Sequence, residues 1–416
     1  MTPPAPLRGF PPGGPRPGTG EAGSSACAGG TPLLWLRGLF SDGIAALAVH
    51  IESGGRPRRL LALLLVASLV GGCAATDAGP SYYWQSVTGH LKLMNAARPV
   101  QDWIDDPATP PALQQKLVLA QRMRRFAVTE LGLPDNASYQ RYADLQRRAA
   151  VYNVVAAPEL SLTLHQWCFP VAGCVGYRGY FDEAEAKAFA ATLPSNMDTV
   201  VYPVPAYSTL GWMNWAGGDP LLNTFIGYPE GELARLLFHE LAHQVVYASG
   251  DTVFNESFAT AVERIGGARW LAQADEPARR AYAEFDGRRQ AFRAHALATR
   301  QRLQAVYDDA SLDDQTKRQR KAAAMSAFRQ RYEDLKQGWG GYKGYDAWVA
   351  RANNASFGAQ AAYDQWVPAF EALFAREGRD LARFYDAVRV LADMNATNRQ
   401  AALLALAPGA GPTSTH

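Results

Sequence analysis

The sequence has few cysteines, few histidines and almost no excess of charge of either sign. Its 416 residues include 4 cysteines, which excludes a disulfide-dense scaffold and a metal cluster built on many cysteines. The balance of 41 basic against 39 acidic side chains lacks the basic excess of a nucleic-acid binder. The apolar run Leu60–Val70 is shorter than the ~20 residues that a membrane-spanning helix needs. With 48% apolar residues, most of the chain can still bury a core.

The N-terminal region has a different character from the rest. Residues 1–30 are half proline and glycine, so we expect residues 1–55 to be disordered or to precede the true translation start. Three arginines (Arg56, Arg58 and Arg59) then precede the apolar run, and small residues lead from that run to Cys73. Basic residues, an apolar run and small residues in this order predict a signal peptide over residues 56–73.

The end of this segment, Val70-Gly71-Gly72-Cys73, resembles the lipobox of bacterial lipoproteins. The resemblance implies that Cys73 is lipidated and anchors the protein to a membrane of the cell envelope, facing the periplasm. Ala74 follows the cysteine, which in such lipoproteins implies the outer membrane. The alternative is a short membrane anchor, or a buried helix with an incidental cysteine.

The remaining chain, residues 74–410, is predicted to be one α+β domain that is mostly helical. Period-two and apolar patterns predict short strands, followed by helices from about residue 230 onward. The predicted strands are Val151–Val155, Leu160–Leu164, Val175–Phe181 and Thr199–Val204. Residues 276–338 form a long and highly charged segment, which predicts a protruding helical hairpin, although the charges themselves are better explained as solvated helix faces.

Cys168 and Cys174 are separated by five residues, which include Pro170 and Gly173. Outside the cytoplasm, two nearby cysteines whose only other partner in the processed chain would be Cys73 favour a disulfide. A metal site would need a second Cys/His pair that this segment does not contain.

The stretch that indicates chemistry is His239-Glu240-Leu-Ala-His243. On a helix, residues four apart share a face, so both imidazoles can bind one metal ion. The glutamate beside that face can take a proton from water. The alternative is a pair of histidines with ordinary hydrogen bonds.

A zinc site needs a third protein ligand, and the next helical pattern offers Glu256. If the two helices form an antiparallel hairpin turning near residue 250, His243 and Glu256 stand nearly level. Glu263 and Thr260 lie further along the same helix and are candidates to hold an imidazole N–H. The alternatives are a carboxylate favoured by the helix dipole for Glu256 and a surface ion pair for Glu263.

His239-Glu240-Leu-Ala-His243 followed by Asn255-Glu256-Ser-Phe-Ala resembles the gluzincin metallopeptidases, although the spacer is shorter than in thermolysin-like members. More closely, the chain is similar to a family of bacterial lipoproteins described as predicted aminopeptidases. The residues that carry this similarity include Trp167-Cys-Phe-Pro, Tyr177-Arg-Gly-Tyr-Phe-Asp182, Asp219-Pro-Leu-Leu-Asn-Thr-Phe225 and Phe254-Asn-Glu-Ser-Phe-Ala-Thr-Ala-Val-Glu-Arg264. The resemblance implies a zincin-like fold and peptide hydrolysis. It also implies one zinc per chain on His239, His243 and Glu256, with Glu240 as general base.

Further candidates are less specific. Peptide hydrolysis needs a donor for the tetrahedral oxyanion, and Tyr207, Tyr228 and Tyr247 are candidates, each also explained by packing. Asn353 and Asn354 are candidates for binding the substrate backbone. The strand Thr199–Val204 offers an edge to an extended peptide.

The sequence therefore predicts a lipid-anchored zinc metallopeptidase of the cell envelope, with aminopeptidase activity on peptide substrates. Its predicted contacts are the peptide and, through Cys73, the membrane, with no nucleic acid. A second hypothesis keeps the hydrolase but assigns peptidoglycan-linked peptides as substrate. A third is a catalytically silent scaffold lipoprotein, which we would expect to lack the base Glu240.

Overall fold

The computed structural model describes residues 79–169, 173–209, 214, 217–361 and 365–406. The predicted extension (residues 1–55), signal peptide (56–73) and lipidated Cys73 lie outside the described residues. Within the described residues, no helix combines the length and apolar character needed to cross a membrane.

Helices dominate the fold. They are α1 (Pro80–Ala96), α2 (Val100–Asp105), α3 (Pro111–Thr129), α4 (Glu183–Ala190), α5 (Glu230–Ala242), α6 (Thr252–Gln273), α7 (Glu276–Asp308), α8 (Asp314–Gly338), α9 (Asp346–Arg351), α10 (Asn354–Ala361), α11 (Val367–Arg376), α12 (Leu381–Asp393) and α13 (Ala396–Leu406). The strands are β1 (Arg98–Pro99), β2 (Arg141–Ala143), β3 (Val151–Pro158), β4 (Trp167–Phe169), β5 (Gly173–Val175), β6 (Arg178–Tyr180), β7 (Met197–Val204) and β8 (Leu221–Leu222). The prediction of a mostly helical α+β fold with small sheets before residue 230 is confirmed.

The sheet that matters for the site has the order β6-β3-β7, and both pairings are antiparallel. The central strand β3 is buried through Val154–Ala157, which agrees with its run of apolar residues. Since β7 pairs with β3 on one side, its other edge is the edge of this sheet. A second small sheet has the order β1-β2-β8, and β4 pairs with β5 in a separate hairpin.

Two of the predicted strands differ from the structure. Residues 160–164 form no strand, because their alternating leucines reflect packing: Leu162 is buried in the aromatic cluster beneath α7 and α8, and Leu164 contacts Gly176 and Gly358. The predicted strand Val175–Phe181 is interrupted after Val175 and resumes at Arg178. Alternating apolar residues indicate that one face of a segment is buried. Here that face is buried against helices and not within a sheet.

Helices α5 and α6 form the antiparallel hairpin that positions the candidate site. Helix α5 is buried over most of its surface, and Asp251 caps α6 by accepting a hydrogen bond of 3.0 Å from the Phe254 N–H. Gly267 allows the two helices to approach closely, since a Cβ there would lie 2.7 Å from Cγ of Arg235. A glycine is otherwise unfavourable in the middle of a helix, so this close approach explains it.

The charged segment 276–338 forms helices α7 and α8, joined by a turn at residues 309–313. Their inner faces bury an aromatic cluster that includes Phe292, Phe328 and Tyr332. Helix α10 adds Phe357 to this cluster and also packs against β3 and β7. The hairpin therefore covers a core of its own beside the sheet.

Cys168 and Cys174 form a disulfide across the β4–β5 hairpin. Gly173 adopts a φ of +72°, and a Cβ there would lie 3.4 Å from the Cα of Gly250. Gly250, with a φ of +76°, belongs to the turn between α5 and α6. The disulfide hairpin thus rests on the turn that connects the two site helices.

Candidate metal centre

The side chains of His239, His243 and Glu256 converge. Nε2 of His239 lies 3.2 Å from Nε2 of His243 and 3.2 Å from Oε2 of Glu256, and Nε2 of His243 lies 3.7 Å from that oxygen. One donor atom from each residue lies within 4.8 Å of the other two. Two imidazoles and one carboxylate at this separation form a group that can hold a metal ion.

The loop between the helices is fixed by Asn255, whose side chain is buried. Helix α5 ends at Ala242, before the turn predicted near residue 250, and His243 is its C-terminal cap. Asn255 replaces the missing helical bonds at Ala248: its Oδ1 accepts from the Ala248 N–H and its Nδ2 donates to the Ala248 carbonyl, both at 2.8 Å. These two bonds fix the position of Glu256 along the α5–α6 hairpin relative to His243. The sequence reasoning assigned no role to Asn255.

The second nitrogen of His239 is held by Glu263, one of its two candidate partners. Nδ1 of His239 lies 3.0 Å from Oε2 of Glu263, and the other carboxylate oxygen pairs with Arg235. Arg235 is buried and also contacts Tyr282 at 2.9 Å and Asp286 at 3.4 Å. This carboxylate fixes the imidazole so that Nε2 faces the other ligands. Sequence reasoning missed Arg235, because its partners come from α6 and α7.

The electrostatics of the three ligands favour a bound cation. Burial alone would raise the pKa of Glu256, but the neighbouring imidazoles hold it well below its usual range. Burial also opposes ionisation of Glu263, yet its bonds to His239 and Arg235 lower its pKa to about 2. Burial works against the charged form of His239, while these two carboxylates raise its pKa well above the usual value. An anionic environment that favours a proton here can also favour a metal ion in the same place.

Glu240 lines the cleft beside these ligands. Burial raises its pKa, and the two imidazoles and a hydrogen bond to Ser208 offset part of that rise. The Ser208 hydroxyl also lies 3.3 Å from Oδ2 of Asp219, a carboxyl whose pKa burial raises to about 6. The Ser208 hydroxyl donates to Asp219, and it also lies within hydrogen-bond range of Glu240, so it links the two carboxyl groups. Ser208 and Asp219 are therefore additions to the predicted site.

A cleft of about 590 Å³ borders the centre on the side of His239 and Glu240. Its walls come from β7, α5, α6, α7 and the α9–α10 region, and they contribute Val200, Tyr202, Glu232, Thr260, Arg293 and Trp348 among others. The strand predicted to offer an edge to substrate, β7, thus borders the cleft. A deep groove with apolar and charged walls suits a peptide segment.

The three predicted tyrosine candidates lie in different places. Tyr247 is close enough to Glu256 for that carboxylate to add to the rise in its pKa caused by burial. The Tyr207 hydroxyl is bonded to Nδ1 of His90 on α1, at 3.2 Å. Tyr228 lines the cleft beside Glu232. Of the three, Tyr247 therefore lies in the electrostatic range of a ligand.

Two tyrosines that were not among the candidates also lie near Glu256. Burial of the hydroxyl group raises the pKa of Tyr177, whose side chain is otherwise partly exposed, and of Tyr202, and the Glu256 carboxylate adds to both shifts. Tyr202 is on β7, whereas Tyr177 is in the turn that follows the disulfide hairpin. Their approach depends on sheet pairing and on the disulfide hairpin, so local sequence spacing carries no signal for it.

The remaining candidates divide between the cleft and the framework. Thr260 is buried and lines the cleft, and the bond to Nδ1 of His239 comes from Glu263. Asn353 donates from its amide to the Thr199 carbonyl at 3.0 Å. Asn354 is buried, and its amide donates to the carbonyls of Pro158 and Glu159. The asparagine amides thus tie α10 to the sheet.

Comparison with known proteins gives one match. The model of a family described as "putative aminopeptidase" matches residues 81–403. No curated protein matches the chain. No solved structure matches it.

Proposed function

Since the chain belongs to this aminopeptidase family, we propose that it is a zinc-dependent peptidase that removes residues from the N-terminus of peptides. The observation that carries the proposal is the convergence of His239, His243 and Glu256, with the second nitrogen of His239 bonded to Glu263. Two imidazoles, a carboxylate and a carboxylate-bound histidine match the donor set of catalytic zinc sites.

His239, His243 and Glu256 would hold the zinc ion. When bound, zinc supplies a Lewis acid that polarises a peptide carbonyl and makes water more acidic. Glu240 takes a proton from the attacking water and delivers it to the leaving amine. Burial raises the pKa of Glu240, which brings the carboxylate closer to the basicity that this transfer requires.

The cleft orients the substrate. Its wall strand β7 can pair with an extended backbone, while Val200, Tyr202 and Trp348 contact side chains. Tyr177, Tyr202 and Tyr247 are the hydroxyls near Glu256 that can donate to the developing oxyanion.

Metal content and a base variant test the chemistry together. Purified protein is expected to contain one zinc per chain, and His239→Ala is expected to lose it. Glu240→Gln should retain the zinc and lose activity by about 10²–10⁴-fold. Wild type without zinc would contradict the site, equal cleavage by wild type and Glu240→Gln would contradict Glu240 as the base, and no cleavage by either protein would favour a scaffold without catalysis.

A pair of substrates tests the mode of cleavage. An unblocked peptide and the same peptide with an acetylated N-terminus differ only in the free ammonium group. Removal of the first residue from the unblocked peptide alone is expected of an aminopeptidase. Internal cleavage of both peptides would show an endopeptidase while leaving the zinc chemistry intact, and cleavage confined to cross-linked cell-wall peptides would identify that substrate class.

We further propose that Cys73 is lipidated and holds the protein to a membrane of the cell envelope. The order of basic residues, apolar run and Val70-Gly71-Gly72-Cys73 supports this assignment. Mass spectrometry of the mature N-terminus is expected to find a modified Cys73, and Cys73→Ala should abolish the modification. A mature chain that keeps residues 1–50 would contradict it.

A further inference from the structure

Helix α1 carries an exposed apolar stripe. Trp84, Val87 and Leu91 are 71%, 54% and 51% exposed, and their spacing of three and four residues puts them on one helix face. The other exposed large apolar side chains of the described residues belong to five other segments, one in each: Val118, Tyr177, Tyr247, Leu297 and Val390. Helix α1 is thus the element with an apolar face turned away from the protein.

The opposite face of α1 is firmly attached. Tyr82 stacks on Phe169 with 5.5 Å between ring centroids, and Leu93 is buried. Gln85 donates to the Gly179 carbonyl at 3.3 Å and accepts from the Phe181 N–H at 3.2 Å. The exposed stripe is therefore the outer side of a docked helix, and its orientation is fixed by these contacts.

The stripe is compatible with an anionic lipid surface. Helix α1 contains no acidic residue, and Lys92 lies next to Leu91. A tryptophan with neighbouring aliphatic side chains is the combination that partitions into the interface of a bilayer. A carboxylate on this face would be repelled by anionic headgroups, and none is present on the helix.

The position of α1 in the chain points to the same surface. Six residues separate Cys73 from Pro80, the first residue of the helix. A chain of that length reaches at most about 25 Å even when fully extended. A lipid on Cys73 would therefore keep α1 beside the membrane whatever path the chain between them takes.

We propose that the stripe formed by Trp84, Val87 and Leu91 lies in the headgroup region of the lipid bilayer and sets the orientation of the domain on the membrane. This proposal rests on the proposed lipid anchor at Cys73. The anchor supplies proximity, and the stripe supplies a second contact that stops the domain from rotating freely about its tether.

A fluorescent label at the stripe tests the proposal. The full lipoprotein is reconstituted into vesicles of phosphatidylethanolamine and phosphatidylglycerol, with an environment-sensitive probe on Val87→Cys. Processing is expected to remove Cys27 and lipidate Cys73, and Cys168 is joined to Cys174, so the probe attaches to the introduced thiol. The matched control is Val390→Cys, whose native side chain is 60% exposed on α12.

Lipids brominated in the acyl chain are expected to quench the probe at position 87 severalfold more than the probe at 390. Aqueous iodide should show the reverse order. Adding Trp84→Glu and Leu91→Glu to Val87→Cys should restore quenching by iodide and leave peptidase activity on a soluble peptide unchanged. Restored iodide quenching with equal activity would show that the two substitutions abolish membrane contact without unfolding the protein.

Three results would overturn the proposal. If the protein floats with the vesicles and iodide quenches the probe equally at both positions, the lipid anchor is supported and membrane contact by the stripe is contradicted. If the protein does not float, both the lipid anchor and membrane contact by the stripe are contradicted. A probe at position 87 that is shielded from both quenchers would show that another protein surface, such as a second copy of the chain, covers the stripe.

Discussion

Glu263 joins Arg235 to His239: one carboxylate oxygen pairs with the guanidinium and the other lies 3.0 Å from Nδ1 of the imidazole. The three residues come from two helices, and Gly267 lets those helices approach closely enough for the contact. Arg235 is therefore a positioning residue that acts on the metal centre through Glu263. Its own surroundings, Tyr282 and Asp286, extend the network into α7.

Glu263→Gln should weaken zinc binding. The amide keeps the shape of the side chain but removes the negative charge that orients and polarises His239. Loss of such a contact typically costs about 10–100-fold in metal affinity. Competition with a chromophoric chelator measures the zinc dissociation constant.

The matched control for this variant is Glu371→Gln, which removes an exposed carboxylate that pairs with Arg264 at 3.3 Å. Zinc affinity in the control should equal that of wild type. Equal affinity in Glu263→Gln and wild type would show that the carboxylate has no influence on the ligand.

Asn255→Ala should destabilise the turn between α5 and α6. It leaves the buried N–H of Ala248 without a partner and removes one of the two hydrogen bonds to the Ala248 carbonyl, which still accepts from the Asp251 N–H; the two losses cost about 2 kcal/mol. Guanidinium denaturation measures the loss of unfolding free energy. Asn395→Ala is the comparison, because it removes an exposed helix cap at Asn398 worth about 1 kcal/mol. Similar losses in both variants would contradict the role assigned to Asn255.

The buried carboxyl of Asp219 should make stability depend on pH. Burial raises its pKa from 3.8 to about 6, so the folded protein binds a proton more tightly than the unfolded chain. The resulting stabilisation is fully present below pH 3.8 and is lost as the pH rises through about 6. A shift of this size corresponds to at most about 3 kcal/mol.

Denaturation of wild type and Asp219→Asn at several pH values isolates this effect, because other titrating groups cancel in the difference. The unfolding free energy of wild type relative to the variant should fall between about pH 4 and about pH 7. A constant difference across that range would contradict the raised pKa.

Reduction of the disulfide should lower stability and activity together. Opening the loop between Cys168 and Cys174 costs about 2 kcal/mol, as expected for a short loop. The same hairpin precedes Tyr177 and touches Gly250, so its loosening also disturbs the wall near Glu256. Unfolding and peptide cleavage are measured with and without reductant, and Cys168→Ser/Cys174→Ser serves as the control that should not respond to reductant. Unchanged activity after reduction would show that the disulfide hairpin does not influence the site.

Much of the metal centre follows from local sequence. The spacing of His239 and His243 fixes a shared helix face, and the hairpin argument puts Glu256 level with His243, where the structure has their atoms 3.7 Å apart. Both inferences rest on helix geometry over short distances in the chain. The helical hairpin at 276–338 was likewise predicted, from the length and high charge of that segment.

The contacts that support the centre were not readable from the sequence. Arg235, Asn255 and Ser208 are ordinary polar residues whose roles depend on partners in other elements, and no periodicity marks them. The leucines at 160–164 misled for a related reason, because a loop packed between a sheet and helices alternates as a strand does. Single-sequence patterns report which faces are buried, whereas the identity of the partner requires the fold.

The bonds that hold the ligands in place do not use the metal itself. Glu263 is bonded to His239, Arg235 pairs with Glu263, and Asn255 is hydrogen-bonded to the loop before Glu256. A binding site assembled by its own framework loses little conformational entropy when the ion enters. We therefore expect that the fold stays intact when a bound ion is removed and added again.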